Sequence, residues 1–380
     1  MNVYVIVFLT LLFQISLKGN IMLVTLTGLH LEASPTILGI LLALGSLFPM
    51  LLASYAGRLS DRIAINYLLA IGMIGAALSL FVPYFFHNHL YVLLAVQLSF
   101  GLFQILTVVS SQNLIGTVST SATRAKNYGI YTLSVSIANL IGPLIVGGAI
   151  DFFHYRIAYM VLGIFAVIPG VFFLFIPIRK KKATLKESVE ERSFLQLLFH
   201  PQLKQVFITS GVILTGVGLF EFYFPIYTDS LGLSASIIGV LVSINACAFI
   251  LSRLLMHVLQ RKFTSAQIIG GCLLIAGATF FFMPFVTTVP LLALLSFIMG
   301  LGLGCCQPLS IVMAYDHSPA GHTGEVLGIR LTVNKAVQFT VPILFGSISF
   351  LGFFPIFWFN TILFVLSGRS LLQPLKKSKT

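Results

Sequence analysis

A series of long apolar runs constrains this chain more than any other feature of its sequence. Each run has roughly 20 residues, the length that crosses the hydrocarbon core of a bilayer as an α-helix. The runs lack the alternation of apolar and polar residues that is typical of membrane β-barrel strands. Because backbone groups in lipid must hydrogen-bond within the protein, helices are the remaining solution. The sequence therefore predicts an all-α membrane protein.

Twelve transmembrane helices are predicted. Their bounds are 3–29, 36–56, 66–85, 90–117, 128–152, 157–178, 205–228, 235–258, 266–286, 288–315, 327–350 and 353–370. Charged residues make up 8% of the chain, against about 25% in soluble proteins, and they concentrate between the runs. One long charged segment separates the sixth helix from the seventh. We therefore predict an N-terminal six-helix bundle over 1–178, a cytoplasmic linker over 179–204, and a C-terminal six-helix bundle with a short basic tail over 205–380.

Two patterns recur in the second half of the chain. Ser34 to Gly39, at the start of the second predicted helix, is matched 200 residues later at the start of the eighth helix by Ser234 to Gly239. The spacing of glycine, proline and glycine in the fifth helix returns in the eleventh, where Gly129, Pro143 and Gly147 are matched by Gly328, Pro342 and Gly346. Such recurrence favours a tandem structural repeat with pseudo-symmetric halves. In transporters, solute binds between such repeats near the bilayer midplane.

Basic residues fall predominantly on one side of the predicted topology. With a cytoplasmic N-terminus, all Lys and Arg except Arg156, Lys18 and Lys335 lie in cytoplasmic loops, the linker, the tail or the adjoining helix ends. The net charge of +12 is therefore explained by membrane orientation and contact with lipid. No basic face interleaved with aromatic residues is present, so nucleic-acid binding is not expected. Both termini are predicted to be cytoplasmic.

The segment after the second helix reads Gly57-Arg58-Leu59-Ser60-Asp61-Arg62. It resembles the loop between the second and third helices of the major facilitator superfamily. The resemblance implies that Gly57, Asp61 and Arg62 latch the two halves in one conformation. The family pattern continues with glycine and two basic residues, where this chain has Ala64, Ile65 and Asn66. An ordinary capped turn is the alternative interpretation.

The fifth helix carries Ile141-Gly142-Pro143-Leu144-Ile145-Val146-Gly147-Gly148. This segment resembles the glycine-proline motif of the superfamily's antiporter branches. Small residues permit close helix approach and proline bends a helix, so Gly142, Pro143 and Gly147 are expected to shape the contact between halves. A purely structural kink is the alternative. The segment from Ser318 to Arg330 is also similar to bacterial members of this superfamily.

Lys18 and Glu221 stand deep inside predicted spans, where an ionisable group costs about 2.5–3.5 kcal/mol. They occupy similar depths in the first and seventh helices, which are equivalent in the repeat. We hypothesise that they form an ion pair that breaks when the protein opens to the outside or when Glu221 is protonated. A permanent pair that fixes helix packing is the alternative.

A polar stripe on the eleventh helix contains Arg330, Asn334, Lys335 and Gln338. We predict that it contacts substrate and favours an anionic or carboxylate-bearing solute. The alternative is that Arg330 and Lys335 extend to the cytoplasmic surface or pair with Asp316. Gln104 lies on one face of the fourth helix with Gln97 and Gln112, where these side chains line the same cavity or bond neighbouring helices.

The sequence offers little for catalysis. It has no phosphate-binding glycine-lysine loop, and its four cysteines have no metal-site spacing, so neither a metal nor an organic cofactor is expected. The leading prediction is a monomeric secondary transporter in the bacterial inner membrane. It would move a small organic solute by alternating access, with a proton gradient driving efflux. The alternatives are a proton-coupled uptake permease for an organic anion, an embedded enzyme using Asp316, His317, His322 and Glu325, and a sensor.

Overall fold

The computed structural model describes residues 3–86, 89–120, 123–175, 201–318 and 323–372, and these ranges are almost entirely helical. The helices are α1 (Val3–His30), α2 (Pro35–Arg62), α3 (Ile65–Phe85), α4 (Leu90–Val118), α5 (Arg124–Phe175), α6 (Pro201–Ser230), α7 (Ala235–Leu259), α8 (Ser265–Phe282), α9 (Val289–Gly304), α10 (Cys306–Asp316), α11 (Thr323–Ser347) and α12 (Phe353–Leu372). Short 3₁₀ turns at Met283–Phe285 and Ser349–Leu351 follow α8 and α11.

Ten helical segments in the described ranges are long and apolar enough to cross a bilayer. One of them, Asn127–Phe175, has 49 residues. Its length of about 74 Å is more than twice the thickness of a hydrocarbon core, about 30 Å. His154 has φ 68° and ψ 166° and breaks the helix inside this segment, so its two arms supply the fifth and sixth spans. Thr323–Ser347, which carries Arg330 and Lys335, is the predicted eleventh span, and the twelve-helix fold is confirmed.

Three helix bounds differ from the sequence prediction. α2 continues through the Gly57–Arg62 motif, and it ends where the Ile63 amide donates to the Leu59 carbonyl at 2.9 Å. The predicted break between the fifth and sixth helices is reduced to the single non-helical residue His154. The predicted tenth helix is divided at Cys305 into α9 and α10. Hydropathy alone does not predict these three bounds, because the residues on either side of each bound are apolar or compatible with a helix.

Polar side chains fix the starts of several helices. Ser34 precedes α2, and its hydroxyl accepts a hydrogen bond from the Ile37 amide at 3.4 Å. Ser234 makes the same contact with the Ile237 amide at the start of α7, also at 3.4 Å. Such caps satisfy amides that have no partner within the helix. The two serines that mark the repeat in the sequence therefore cap the N-termini of equivalent helices.

Residue contacts group the described chain into two compact units. Unit 1 lies within Met1–Lys186, Phe220–Ser243 and Phe339–Ser347. In it, α1 and α3 pack against α5, and α2 and α3 pack against α4. Unit 2 lies within Glu187–Leu219, Ile244–Gln338 and Ile348–Thr380, and α8 is central to it, in contact with α9, α10 and α12. The linker predicted over 179–204 is described only from Pro201, so the division into bundles at this segment stays a prediction.

Glycines of the repeat allow two equivalent close contacts within unit 1. A methyl group added at Gly239 of α7 would lie 2.5 Å from the Pro143 carbonyl oxygen of α5. A methyl group at Gly39 of α2 would likewise meet the Pro342 carbonyl oxygen of α11. Only glycine permits backbones to approach this closely. The start of one repeat's second helix thus packs on the fifth helix of the other repeat, in both directions.

Hydrogen bonds join the same helix pairs. At the crossing of α5 and α7, the Asp151 carboxylate accepts a hydrogen bond from the Ser236 amide at 2.8 Å. A carboxylate at a helix N-terminus is favoured by the helix dipole. At the crossing of α2 and α11, the Thr36 hydroxyl donates to the Gly346 carbonyl at 3.1 Å. Both crossings are therefore held by polar contacts as well as by packing.

The glycine contact gives a prediction about stability. Gly239→Ala places a methyl group against the Pro143 carbonyl, and overpacking of this kind costs about 1–3 kcal/mol. We expect the thermal unfolding midpoint of the detergent-purified protein to fall by a few degrees. Gly148→Ala is the matched control, because a methyl group there meets nothing within 4 Å. Equal midpoints for the two variants would show that the close approach at Gly239 is not required.

Candidate functional site

The structure brings Lys18 of α1 and Glu221 of α6 together. The Lys18 Nζ atom lies 3.4 Å from the Glu221 Oε1 atom, and both residues belong to unit 1. The side chains are 21% and 35% exposed, respectively, so neither is sealed in the protein interior. The first helices of the two sequence repeats thus contribute opposite charges to one pair.

Close packing of α1 on α5 sets the position of Lys18. A methyl group added at Gly142 would lie 2.8 Å from the backbone nitrogen of Gly19, the residue that follows Lys18. One turn before Lys18, the Gln14 side-chain amide donates to the Tyr131 hydroxyl of α5 at 3.3 Å. The glycine-proline motif of α5 therefore supports the part of α1 that carries the lysine.

Aromatic packing sets the position of Glu221. Its neighbours along α6 are all buried, namely Phe220, Phe222, Tyr223 and Phe224. The rings of Phe220 and Phe224 stack with their centroids 4.5 Å apart. Glu221 is the partly exposed member of this segment, so the surrounding rings hold the backbone and leave the carboxylate accessible.

Partial exposure bears on how strongly the pair is held. Fully exposed ion pairs contribute about 0–1 kcal/mol, whereas removing one partner of a buried pair costs about 3–5 kcal/mol. With 21% and 35% of the side chains exposed, the Lys18–Glu221 pair lies between these limits. The pair is therefore partly open to solvent, and separating it costs less than separating a fully buried pair.

The predicted stripe on α11 divides into two parts. Arg330 is buried, and its guanidinium donates to the Ser310 hydroxyl at 2.8 Å and to the Gln307 carbonyl at 3.4 Å. Asn334 is buried as well, and its side-chain oxygen accepts a hydrogen bond from the Ser210 hydroxyl at 2.7 Å. These two residues of unit 2 bind neighbouring helices, and Arg330 does not extend to the surface.

Lys335 and Gln338 form the more accessible part of the stripe. The Lys335 ammonium donates to the Gln338 side-chain oxygen at 2.9 Å, and both side chains are half-buried. The contact joins residues one helical turn apart within α11. Of the four residues predicted on this stripe, these two are the more exposed.

Glutamines of α4 bond neighbouring helices of unit 1. The Gln104 side-chain amide donates to the Gly45 carbonyl of α2 at 2.7 Å. Gln97 is buried and accepts a hydrogen bond from the Asn20 side chain of α1 at 3.4 Å. Of the two interpretations that the sequence left open, helix-to-helix bonding describes these contacts.

The Gly57–Arg62 motif forms the last turns of α2, not a loop. The side chains of Asp61 and Arg62 lie outside the described residues, so the predicted latch stays a prediction. Sequence reasoning missed Ser60, whose hydroxyl donates to the Gly57 carbonyl at 2.8 Å and accepts from the Asn113 side chain of α4 at 2.8 Å. A serine and an asparagine facing each other on adjacent spans are a general signal of helix association.

The described part of the chain contains no candidate metal site. No group of three or more His, Cys, Asp or Glu residues in it has the geometry to hold a metal ion. Of the acidic and histidine cluster considered for an enzyme, Asp316 and His317 are described, whereas His322 and the side chain of Glu325 lie outside the described residues.

Twelve membrane-spanning helices in a tandem repeat, with a charged pair between equivalent helices, define a polytopic transporter. The sequence profile of the Major Facilitator Superfamily matches residues 6–342 and 206–377. The chain belongs to this superfamily. It is therefore a multi-pass membrane transporter of small molecules, and the prediction that it is not an enzyme is confirmed.

Two relatives from Staphylococcus aureus and Bacillus subtilis share most of this chain's length. The chain is 26% identical over 320 residues to the quinolone resistance protein NorA of Staphylococcus aureus (strain COL), covering 82% of this chain and 80% of the relative. It is 23% identical over 317 residues to the uncharacterized MFS-type transporter YuxJ of Bacillus subtilis (strain 168), covering 80% and 79%. These similarities extend over both sequence repeats.

Solved structures share the fold. A POT family transporter in complex with 5-aminolevulinic acid has a TM-score of 0.79 at 16% identity, over 97% of this chain and 95% of that chain. A bacterial homolog of the human lysosomal transporter Spinster, in an inward-facing and unoccupied conformation, has a TM-score of 0.76 at 12% identity, over 97% and 94%. At these identities the likeness shows the twelve-helix architecture alone.

The division of the α11 stripe gives a second prediction. Arg330→Ala removes a buried guanidinium, and hydrogen bonds to charged groups contribute about 1.5–3 kcal/mol. We expect a fall of several degrees in the thermal midpoint in detergent. Lys335→Ala loses a half-exposed contact within its own helix and should lower the midpoint less. If Lys335→Ala proves the more destabilising of the two, the assignment of Arg330 to packing is wrong.

Proposed function

We propose that this transporter exports a small organic solute in exchange for protons, by alternating access across the bacterial inner membrane. The observation that supports this proposal is the partly exposed pair of Lys18 and Glu221, whose Nζ and Oε1 atoms lie 3.4 Å apart. Its two charges come from equivalent helices of the repeat. A change in the charge of one residue therefore alters the electrostatic environment of the other. We further propose that both termini are cytoplasmic, because the basic residues fall on that side.

In this proposal Glu221 holds one of three partners at a time: Lys18, a proton, or a positively charged group of the solute. Protonation removes the negative charge of the carboxylate and ends its attraction to the Lys18 ammonium. A group that binds a proton or a solute, but not both, exchanges one for the other. This competition is the physical requirement for antiport.

The crossing of α5 and α7 in unit 1 supplies the proposed moving parts. Gly147 of the glycine-proline motif packs against the Ala235 carbonyl of α7, and Gly239 packs against Pro143. These contacts are close, and Gly142 of the same motif also supports α1 beside Lys18. A movement of α5 against α7 would therefore shift the backbone that carries the lysine. The motif is in this way proposed to couple access to the charge state of the pair.

Export is favoured over uptake by two features. The glycine-proline motif resembles that of antiporters, and the relative from Staphylococcus aureus is named for resistance to quinolones. The alternative, uptake of an organic anion with protons, is favoured by the half-buried Lys335, which with Gln338 is a candidate substrate contact. The direction of solute movement against an imposed pH gradient separates the two functions.

Flux measurements test the coupling role of Glu221. In proteoliposomes loaded with a panel of organic solutes, an imposed pH jump should drive solute movement by the wild-type protein. Glu221→Gln keeps the shape of the side chain but cannot exchange a proton, so gradient-driven movement should fall by at least about tenfold, a loss of about 1.4 kcal/mol in coupling. Passive exchange of the same solutes at equal pH needs no proton transfer and should fall less.

The matched control is Glu32→Gln, which makes the same chemical change at an exposed position. It should retain gradient-driven flux. Gradient-driven flux at the wild-type rate in Glu221→Gln would remove the carboxylate from the coupling mechanism. Loss of flux in both variants would show that the effect is not specific to the pair.

A further inference from the structure

We infer that the Lys18–Glu221 pair selects solutes that carry both a positive and a negative group. The inference rests on the proposed function, because it assigns a substrate class to the same site. It follows from the charge balance of the pair and of the segments around it.

The pair is electrically neutral as a unit, with its Nζ and Oε1 atoms 3.4 Å apart and both side chains mostly covered. A solute that enters between the two side chains separates them, and each charge then needs a new partner. A cationic solute satisfies Glu221 and leaves the Lys18 ammonium, whose side chain is 21% exposed, without a charged partner. An anionic solute leaves the Glu221 carboxylate unpaired. A zwitterion provides a partner for both.

No other charge on the neighbouring segments can take over as a partner. Lys18 is the sole Lys, Arg, Asp or Glu residue in α1, and α4 contains none. The stretch of α5 that packs on α1, residues 127–150, has none either. In α6, residues 207–228 contain Glu221 as their sole charged residue. The nearest further carboxylate on that helix is Asp229, about 12 Å along the axis at an exposed end.

Polar neighbours of the pair carry no charge. Gln14 on the preceding turn of α1 bonds to Tyr131, and Asn20, two residues after Lys18, donates from its side-chain nitrogen to Gln97. The aromatic residues beside Glu221 are buried in packing. Compensation for a separated Lys18 or Glu221 must therefore come from the solute itself.

Equilibrium binding to the detergent-purified protein in mildly acidic buffer, in which the amine of an amino-acid ester is protonated, tests this inference without a proton gradient. The probes are a panel of aryl amino acids, each in three matched forms: the free zwitterion, its methyl ester, which is a cation, and its N-acetyl derivative, which is an anion. The wild-type protein should bind the zwitterionic form at least about tenfold more tightly than either derivative, a difference of about 1.4 kcal/mol.

Charge substitutions should switch the preference. Lys18→Gln leaves an unpaired carboxylate, so the ester should become the preferred form. Glu221→Gln leaves an unpaired ammonium, so the N-acetyl form should become preferred. The exchanged double variant Lys18→Glu/Glu221→Lys restores a neutral pair and should prefer the zwitterion again. Lys204→Gln and Glu32→Gln make the same chemical changes at exposed positions and should retain the wild-type order.

Three results would overturn the inference: an order of affinities that is unchanged in both single variants, a wild-type preference for the ester or the N-acetyl form, or no binding of any form. If the double variant does not fold, the single variants still decide the matter. Failure here is distinct from failure of the proposed function, since proton-driven flux and its loss in Glu221→Gln are measured with other solutes and a different readout.

Discussion

A charge inside a bilayer must be compensated, and this requirement organises the site. An isolated lysine or glutamate at this depth costs about 2.5–3.5 kcal/mol on insertion, and pairing the two lowers that cost. The pairing requires the first helices of both repeats to approach, and packing against other residues holds each helix in place. Gly142 allows α5 to lie against the backbone beside Lys18, and buried rings hold α6 around Glu221.

The helices themselves were predictable because hydropathy measures the transfer of a segment from water to lipid, and this transfer dominates the folding of such a chain. Local departures from the predicted helix bounds could not be predicted in this way. The break at His154 is a single backbone conformation, and α2 continues through Gly57 because nothing after it forces a turn before Ile63. Both depend on packing that a count of apolar residues does not record.

The candidate site was predictable only in part, for a related reason. Depth in the membrane identifies a polar side chain as costly but does not say what satisfies it. Arg330 and Asn334 are satisfied by Ser310 and Ser210 on adjacent helices, whereas Lys18 and Glu221 satisfy each other and stay partly exposed. Whether a polar residue of a span serves packing or function depends on its partners, and those partners are remote in sequence. Lys18 and Glu221 were an exception because the repeat placed them at equivalent positions.

The repeat also connects the pair to the parts that are proposed to move. Glycines that mark the repeat in the sequence permit the α5–α7 and α2–α11 crossings, and the same stretch of α5 supports the lysine. In this mechanism, the opening of the protein and the charge of the pair depend on the same helix contacts. The most direct test is to count protons released when a transported solute binds to the purified protein in weakly buffered, acidic solution. We expect the wild-type protein to release a proton on binding and Glu221→Gln to release none, whereas equal proton release by both would contradict the account.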